Sequence, residues 1–192
     1  MKGRKCLGLL VLALAVTALP AAAGTFQQLG LEGLVDISTT AVEGEVLNVE
    51  SFWDKEGRII FTEATVHVQD KVFGAADELV KVRTVGGTAD GYTVQAPGFP
   101  TFQKGDRLFL FLTPFEGHGE SLRVTGYQQG QYRILMGANK VEVAESAVDG
   151  EALLLSLGNE VDLLPRTLPL SELKDLVRAQ AEIQASAETE GK

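Results

Sequence analysis

Two histidines are the side chains best suited to move a proton or hold a metal near neutral pH. His67 lies in Thr65-Val66-His67-Val68, and Glu63, His67 and Gln69 share one phase of a period-2 pattern. One imidazole and one carboxylate are too few for zinc, so these residues read as a solvated strand face. Glu116, His118 and Glu120 alternate with Gly117 and Gly119, which is loop chemistry and not the helical H-E-x-x-H spacing. Ser51 and Ser121 lie near acids, but only the two histidines could serve them as bases, and nothing in the spacing assembles a triad. G-x-S-x-G, the P-loop and a strand-to-helix G-x-G-x-x-G are absent from the sequence. No catalytic residue, cofactor or metal is expected.

Two aromatic clusters are left as candidate partner-binding residues. Phe52 and Trp53 stand near the tip of an expected hairpin, and Phe99, Pro100 and Phe102 surround a proline loop. Such residues either close a barrel mouth or anchor a partner, since Trp and other aromatics dominate interface hot spots.

The elements that would position these residues follow a leader. Lys2, Arg4 and Lys5 precede an apolar run from Leu7 to Leu19, which Pro20 ends just before Ala21-Ala22-Ala23. This reads as a signal peptide, residues 1–23, cleaved before Gly24, because thirteen residues fall short of the roughly 20 that span a bilayer. A secreted or periplasmic protein is expected. Cys6 lies before the apolar run, where a lipoprotein cysteine would follow it. The whole chain carries a net charge of -9, and losing the three leader cations makes it -12. That acidity leaves no basic stripe for nucleic acid. A processed chain would contain no cysteine, so its stability would rest on a hydrophobic core, which one domain of this length and 45% hydrophobic composition can supply.

Residues 24–40 read as a lead-in holding a short helix, with Leu31, Leu34 and Val35 at helical spacing. From 41 to 145 the pattern is strands. Val42, Gly44 and Val46 alternate with Glu43 and Glu45, then the apolar phase slips by one at Leu47, as in a β-bulge. Asp54-Lys55-Glu56-Gly57 turns into a second run, Ile59 to Phe73, long enough to require curvature. Further strands are expected at Glu78 to Val85, Tyr92 to Gln95, Leu122 to Tyr127, Gln131 to Met136 and Lys140 to Val143. Leu108 to Leu112 has five apolar residues in a row, which need cover on both faces. Residues 146–192 form an extension with a helix at about 171–184, capped by Ser171, with a stripe of Leu173, Leu176 and Val177 and a frayed end from Ala185. The fold class is mainly β: an antiparallel OB-like barrel, or a small sandwich, with a short N-terminal and a C-terminal helix.

Val42-Glu-Gly-Glu-Val, the hairpin Ser51 to Thr62, the Gly86-Gly87 loop and Gly98-Phe-Pro-Thr-Phe-Gln-Lys-Gly-Asp-Arg-Leu-Phe-Leu-Phe-Leu resemble a group of secreted bacterial β-barrel proteins with no assigned activity. More distantly, strand, curved strand, strand and a Lys-Gly-Asp turn before an apolar strand are similar to the OB-like barrel of tissue inhibitors of metalloproteinases. That family inhibits through an N-terminal cysteine and is held by disulfides, and a processed chain here would have neither. The likeness therefore implies a partner-binding barrel and transfers no residue. An exported noncatalytic module with a protein partner, such as a co-secreted protease or an envelope protein, is expected. The alternatives are a secreted hydrolase with a site of unfamiliar pattern and a purely structural envelope protein, and the oligomeric state is open.

Overall fold

The computed structural model describes residues 25–149, 153–155 and 163–190, so the leader read at 1–23 lies outside the described residues. The elements in chain order are β1 (Thr25–Gln27), α1 (Leu31–Ile37), β2 (Thr40–Trp53), β3 (Ile60–Gly74), β4 (Leu79–Val85), β5 (Gly87–Ala89), β6 (Tyr92–Val94), β7 (Arg107–Pro114), β8 (Leu122–Val124), β9 (Gln131–Met136), β10 (Glu142–Ser146), β11 (Leu153–Leu155), β12 (Thr167–Pro169) and α2 (Leu170–Glu190).

Five strands close a barrel: β2 pairs with β3 and β7, β3 with β4, β4 with β8, and β8 with β7. Four of these pairings are antiparallel, and β4–β8 is parallel through Val82 and Leu122. A wholly antiparallel barrel is therefore corrected to a mixed one, for a reason of parity. Directions cannot alternate all the way around a ring of five, so one neighbouring pair must run the same way. Outside the barrel, β9, β10 and β12 extend the sheet from β7, while β5–β6 and β1–β11 form two small sheets.

Strands β2 and β3 are long because they curve from one face to another. Their register shifts at Ala41/Val42, Glu43/Gly44 and Val46/Asn48, and the last shift falls at Leu47, where the apolar phase of the sequence slips. Two cores result. The barrel interior holds Val42, Val46, Ala64, Val66, Val82, Phe102, Leu108, Leu110 and Leu112. The outer face of the same sheet holds Ala41, Phe109, Phe111, Tyr132, Ile134 and Ala144, which α1 covers with Leu34 and Val35 and α2 with Leu170, Leu173 and Val177. Strand β7 thus sends Leu108, Leu110 and Leu112 inward and Phe109 and Phe111 outward, which accounts for its continuous apolar run.

The C-terminal helix differs from its expected bounds. It starts at Leu170 and runs to Glu190, so Ser171 lies within the first turn and the residues from Ala185 continue the helix. Its buried stripe is Leu170, Leu173 and Val177 with Ala181, whereas Leu176 is exposed. Among the described residues no helix is long and apolar enough to cross a membrane.

Candidate functional site

The two aromatic clusters occupy different settings. Phe52 and Trp53 are consecutive on β2, so they face opposite sides of the strand. Phe52 is half-buried beneath Arg83, whose guanidinium carbon lies 5.1 Å from the ring centroid, a cation–π arrangement. Trp53 is half-buried against Tyr92 of β6, with ring centroids 5.8 Å apart at 70°. Phe99 joins Phe26 and Tyr127 in a trio whose centroids lie 4.5 to 6.0 Å apart. Pro100 is buried, and Phe102 is only 8% exposed within the barrel core, so neither projects as a free anchor.

What the fold does assemble is a cleft of about 470 Å³ at one mouth of the barrel. Its floor comes from Val49 and Ser51 of β2, Thr62 of β3 and Thr84 of β4. One wall is the β5–β6 hairpin with Thr88, Thr93 and Val94, and the other is the loop that carries Phe99, Pro100, Thr101 and Phe102. Both walls are built on tight turns. Asp90 and Gly91 have φ of 50° and 80°, as a two-residue hairpin of type I′ requires. Pro97 and Gly98 form the corner of a type II turn: Gly98 has φ 82° and the Phe99 amide donates to the Ala96 carbonyl at 3.1 Å.

The floor carries a row of hydroxyls in register. Ser51 pairs with Thr62 across β2–β3, and Thr62 pairs with Thr84 across β3–β4. Thr62 donates its one proton to the Gly86 carbonyl at 2.7 Å, so in its 2.8 Å contact with Ser51 the serine is the donor. Gly87 lies directly over this pair: a Cβ there would stand 2.2 Å from Thr62 Oγ1 and 2.5 Å from Ser51 Oγ. Among the described residues Thr84 Oγ1 is buried without a partner. At the end of the cleft, Gln128 gives its amide N–H to Asp149 at 2.9 Å, and its Oε1 is likewise buried without a partner among the described residues. Each such atom costs free energy that a bound group could recover.

The titratable clusters do other work. Glu63 accepts from Arg83 Nε and Nη2 at 3.0 and 2.6 Å and from Ser121 Oγ at 2.8 Å. Burial raises its pKa, but the Arg83 and Ser121 hydrogen bonds with the Arg83 and Lys81 charges outweigh burial and hold it below the carboxylate range. A carboxylate so engaged is a poor base for Ser121. His118 contacts Arg83 Nη1 through Nδ1 at 3.1 Å and packs on Phe115 and Phe61, which pins the Gly117/Gly119 turn. His67 Nε2 lies 3.6 Å from a Glu78 carboxylate oxygen. Among the described residues no three His, Cys, Asp or Glu could hold a metal ion.

A second charged cluster lies between the barrel and α2. Glu43, nearly fully buried on β2, takes Arg107 of β7 and Lys174 of α2; Arg107 also pairs with Glu142, and Lys174 with Asp70 at 2.9 Å. Desolvation lowers the pKa of Lys174, but its bonds to Glu43 and Asp70 raise it further than burial lowers it. This cluster fastens the helix to the sheet.

Of the five residues singled out from sequence, Phe99, Pro100 and Phe102 line the cleft; Trp53 does not, packing on Tyr92 beside the lining residue Thr93, and Phe52 lies on the opposite side of β2 from Trp53. The hydroxyl row and Gln128 are additions from the structure. Ser51, Thr62 and Thr84 each share the phase of inward-facing apolar neighbours, a signal that becomes a row only once the register is known. No protein-family model matches the chain, and no curated protein does.

Proposed function

We propose that this chain is an exported, noncatalytic module that captures a protein partner at the mouth of an OB-like barrel, as an inhibitor or companion of a co-secreted protease. The closing order β2-β3-β4-β8-β7, with both the β5–β6 hairpin and the proline loop inserted in the chain between β4 and β7, supports the OB-like reading. One observation carries the binding role: a cleft of about 470 Å³ walled by tight turns, with buried Thr84 and Gln128 atoms that have no partner among the described residues and with the Trp53–Tyr92 pair next to Thr93 of its β6 wall. Walls built on tight turns reduce the ordering cost of binding. The hydrolase reading finds no support in Glu63 and Ser121, because their atoms are spent on Arg83 and on each other.

The test is capture from the exported fraction of the native host with the purified chain as bait. Trp53→Ala should weaken capture about tenfold while the melting temperature changes little, as expected of a half-buried aromatic beside the cleft wall. If the variant unfolds, or captures the same protein equally well, the mouth is not the partner site.

A further inference from the structure

We infer that the partner element entering the cleft is an extended polypeptide segment, added as a further strand along the open edge of β6. The inference rests on the binding reading above and specifies the chemistry of what is bound.

The hairpin register supplies the first observation. Ala89 pairs with Tyr92, Thr88 with Thr93 and Gly87 with Val94 around the two-residue Asp90-Gly91 turn. In an antiparallel pair, hydrogen-bonded and non-hydrogen-bonded positions alternate, and a two-residue loop closes on a hydrogen-bonded pair. Tyr92 and Val94 therefore spend their N–H and C=O groups on β5, while Thr93 turns both of its own outward. Strand β6 is exposed along its whole length and carries Tyr, Thr and Val, without the lysine, proline or bulge that usually blunts such an edge. A new strand pairs by meeting an outward N–H and C=O on one residue.

The cleft beside this edge supplies the second. Thr84 Oγ1 offers a proton and Gln128 Oε1 offers lone pairs, and among the described residues both are buried without partners, in residues more than nine-tenths buried. A peptide backbone presents an acceptor and a donor on every residue, so one ligand can satisfy both. Among the described residues the lining includes no lysine or arginine and one acid, Asp149, which already accepts from Gln128. With a net charge of -9 for the chain, the lining favours a neutral or basic segment over an anionic one.

The experiment selects a random-peptide phage library on the purified chain and measures the best synthetic peptide by fluorescence anisotropy, beside a neutral chito-oligosaccharide as the competing ligand. Thr93→Pro removes the outward N–H and leaves the β5 pairs, because Pro is tolerated at a non-donating edge position. It should weaken the peptide about tenfold, while Thr93→Val, which keeps the N–H, changes binding by less than about threefold. N-methylation of alternate peptide residues should weaken binding to the unaltered chain by a similar factor, a readout that needs no folded variant. Equal binding by Thr93→Pro and by the methylated peptide would overturn strand addition. So would selection of no peptide, or binding of the oligosaccharide alone. If strand addition fails but Trp53→Ala still lowers partner capture, the binding reading stands without it; if neither variant matters, both fall.

Discussion

A single proton orders the cleft floor. Because Thr62 gives its hydrogen to the Gly86 carbonyl, Ser51 must donate to Thr62; separately, Thr84 Oγ1 has no hydrogen-bond partner among the described residues. The arrangement requires Gly87, which combines φ +125° with a position where any Cβ would overlap both hydroxyls. Gly87→Ala should cost about 2 kcal/mol and abolish partner capture, as read by urea melts and the capture assay. Gly57→Ala is the comparison: it also adds a Cβ at positive φ, but with nothing within 4 Å, so it should cost about 1 kcal/mol and leave capture unchanged. Equal effects from the two would show that the hydroxyl row has no role in the cleft. At this scale the sequence is legible for Trp53 and Phe99, whose size marks them, and illegible for Thr62 and Thr84. A threonine on a strand becomes part of a row only through register, and a one-residue slip would turn it to the other face.

Among the elements, α2 is held by a charged cluster as well as by its apolar stripe. Glu43 is nearly fully buried, so removing Lys174 would leave an acid short of one of its two cations. Lys174→Met should destabilise the protein by about 3 kcal/mol in urea melts, and Lys174→Met with Glu43→Leu should recover much of the loss. An unchanged midpoint for the single variant would contradict the role given to the pair. Acid should loosen the same contact. Hydrogen bonds from Lys174 to Asp70 and from Arg107 to Glu142 hold both carboxyls below their ordinary values, so their contribution is present above the unfolded carboxylate range and lost as pH falls through the depressed folded values. The helix itself is legible in sequence from its 3.6-residue stripe, but the choice of Leu170 over Leu176 for the buried face is not, because both fit an apolar period. Strands β1, β5, β11 and β12 escape sequence reading for another reason: three residues give no measurable alternation, and β5 opens on a glycine with positive φ, whereas β6 and β8, of the same length, lie within longer expected runs.

For the molecule as a whole, one sheet serves two cores, and this division of labour frees one barrel mouth. Helices α1 and α2 cover the outer face of β2, β7, β9 and β10, and the cleft opens between the β5–β6 hairpin and the proline loop. The long strands, the slip at Leu47 and the doubly covered β7 are legible in sequence because each follows from local apolar periodicity. A barrel is the expected class, but which strands close it is not legible, since β4 and β8 meet through a single pair of residues distant in sequence. The central claim is that partners enter at this mouth. Its most direct test places the photo-cross-linker benzoylphenylalanine at Gln95, an exposed residue of the cleft, and separately at Met136, an exposed residue on the β9–β10 hairpin outside the cleft lining. Irradiation in the native exported fraction should yield a covalent adduct with one polypeptide from position 95 and none from 136. Adducts from 136 alone, or none from 95, would contradict it.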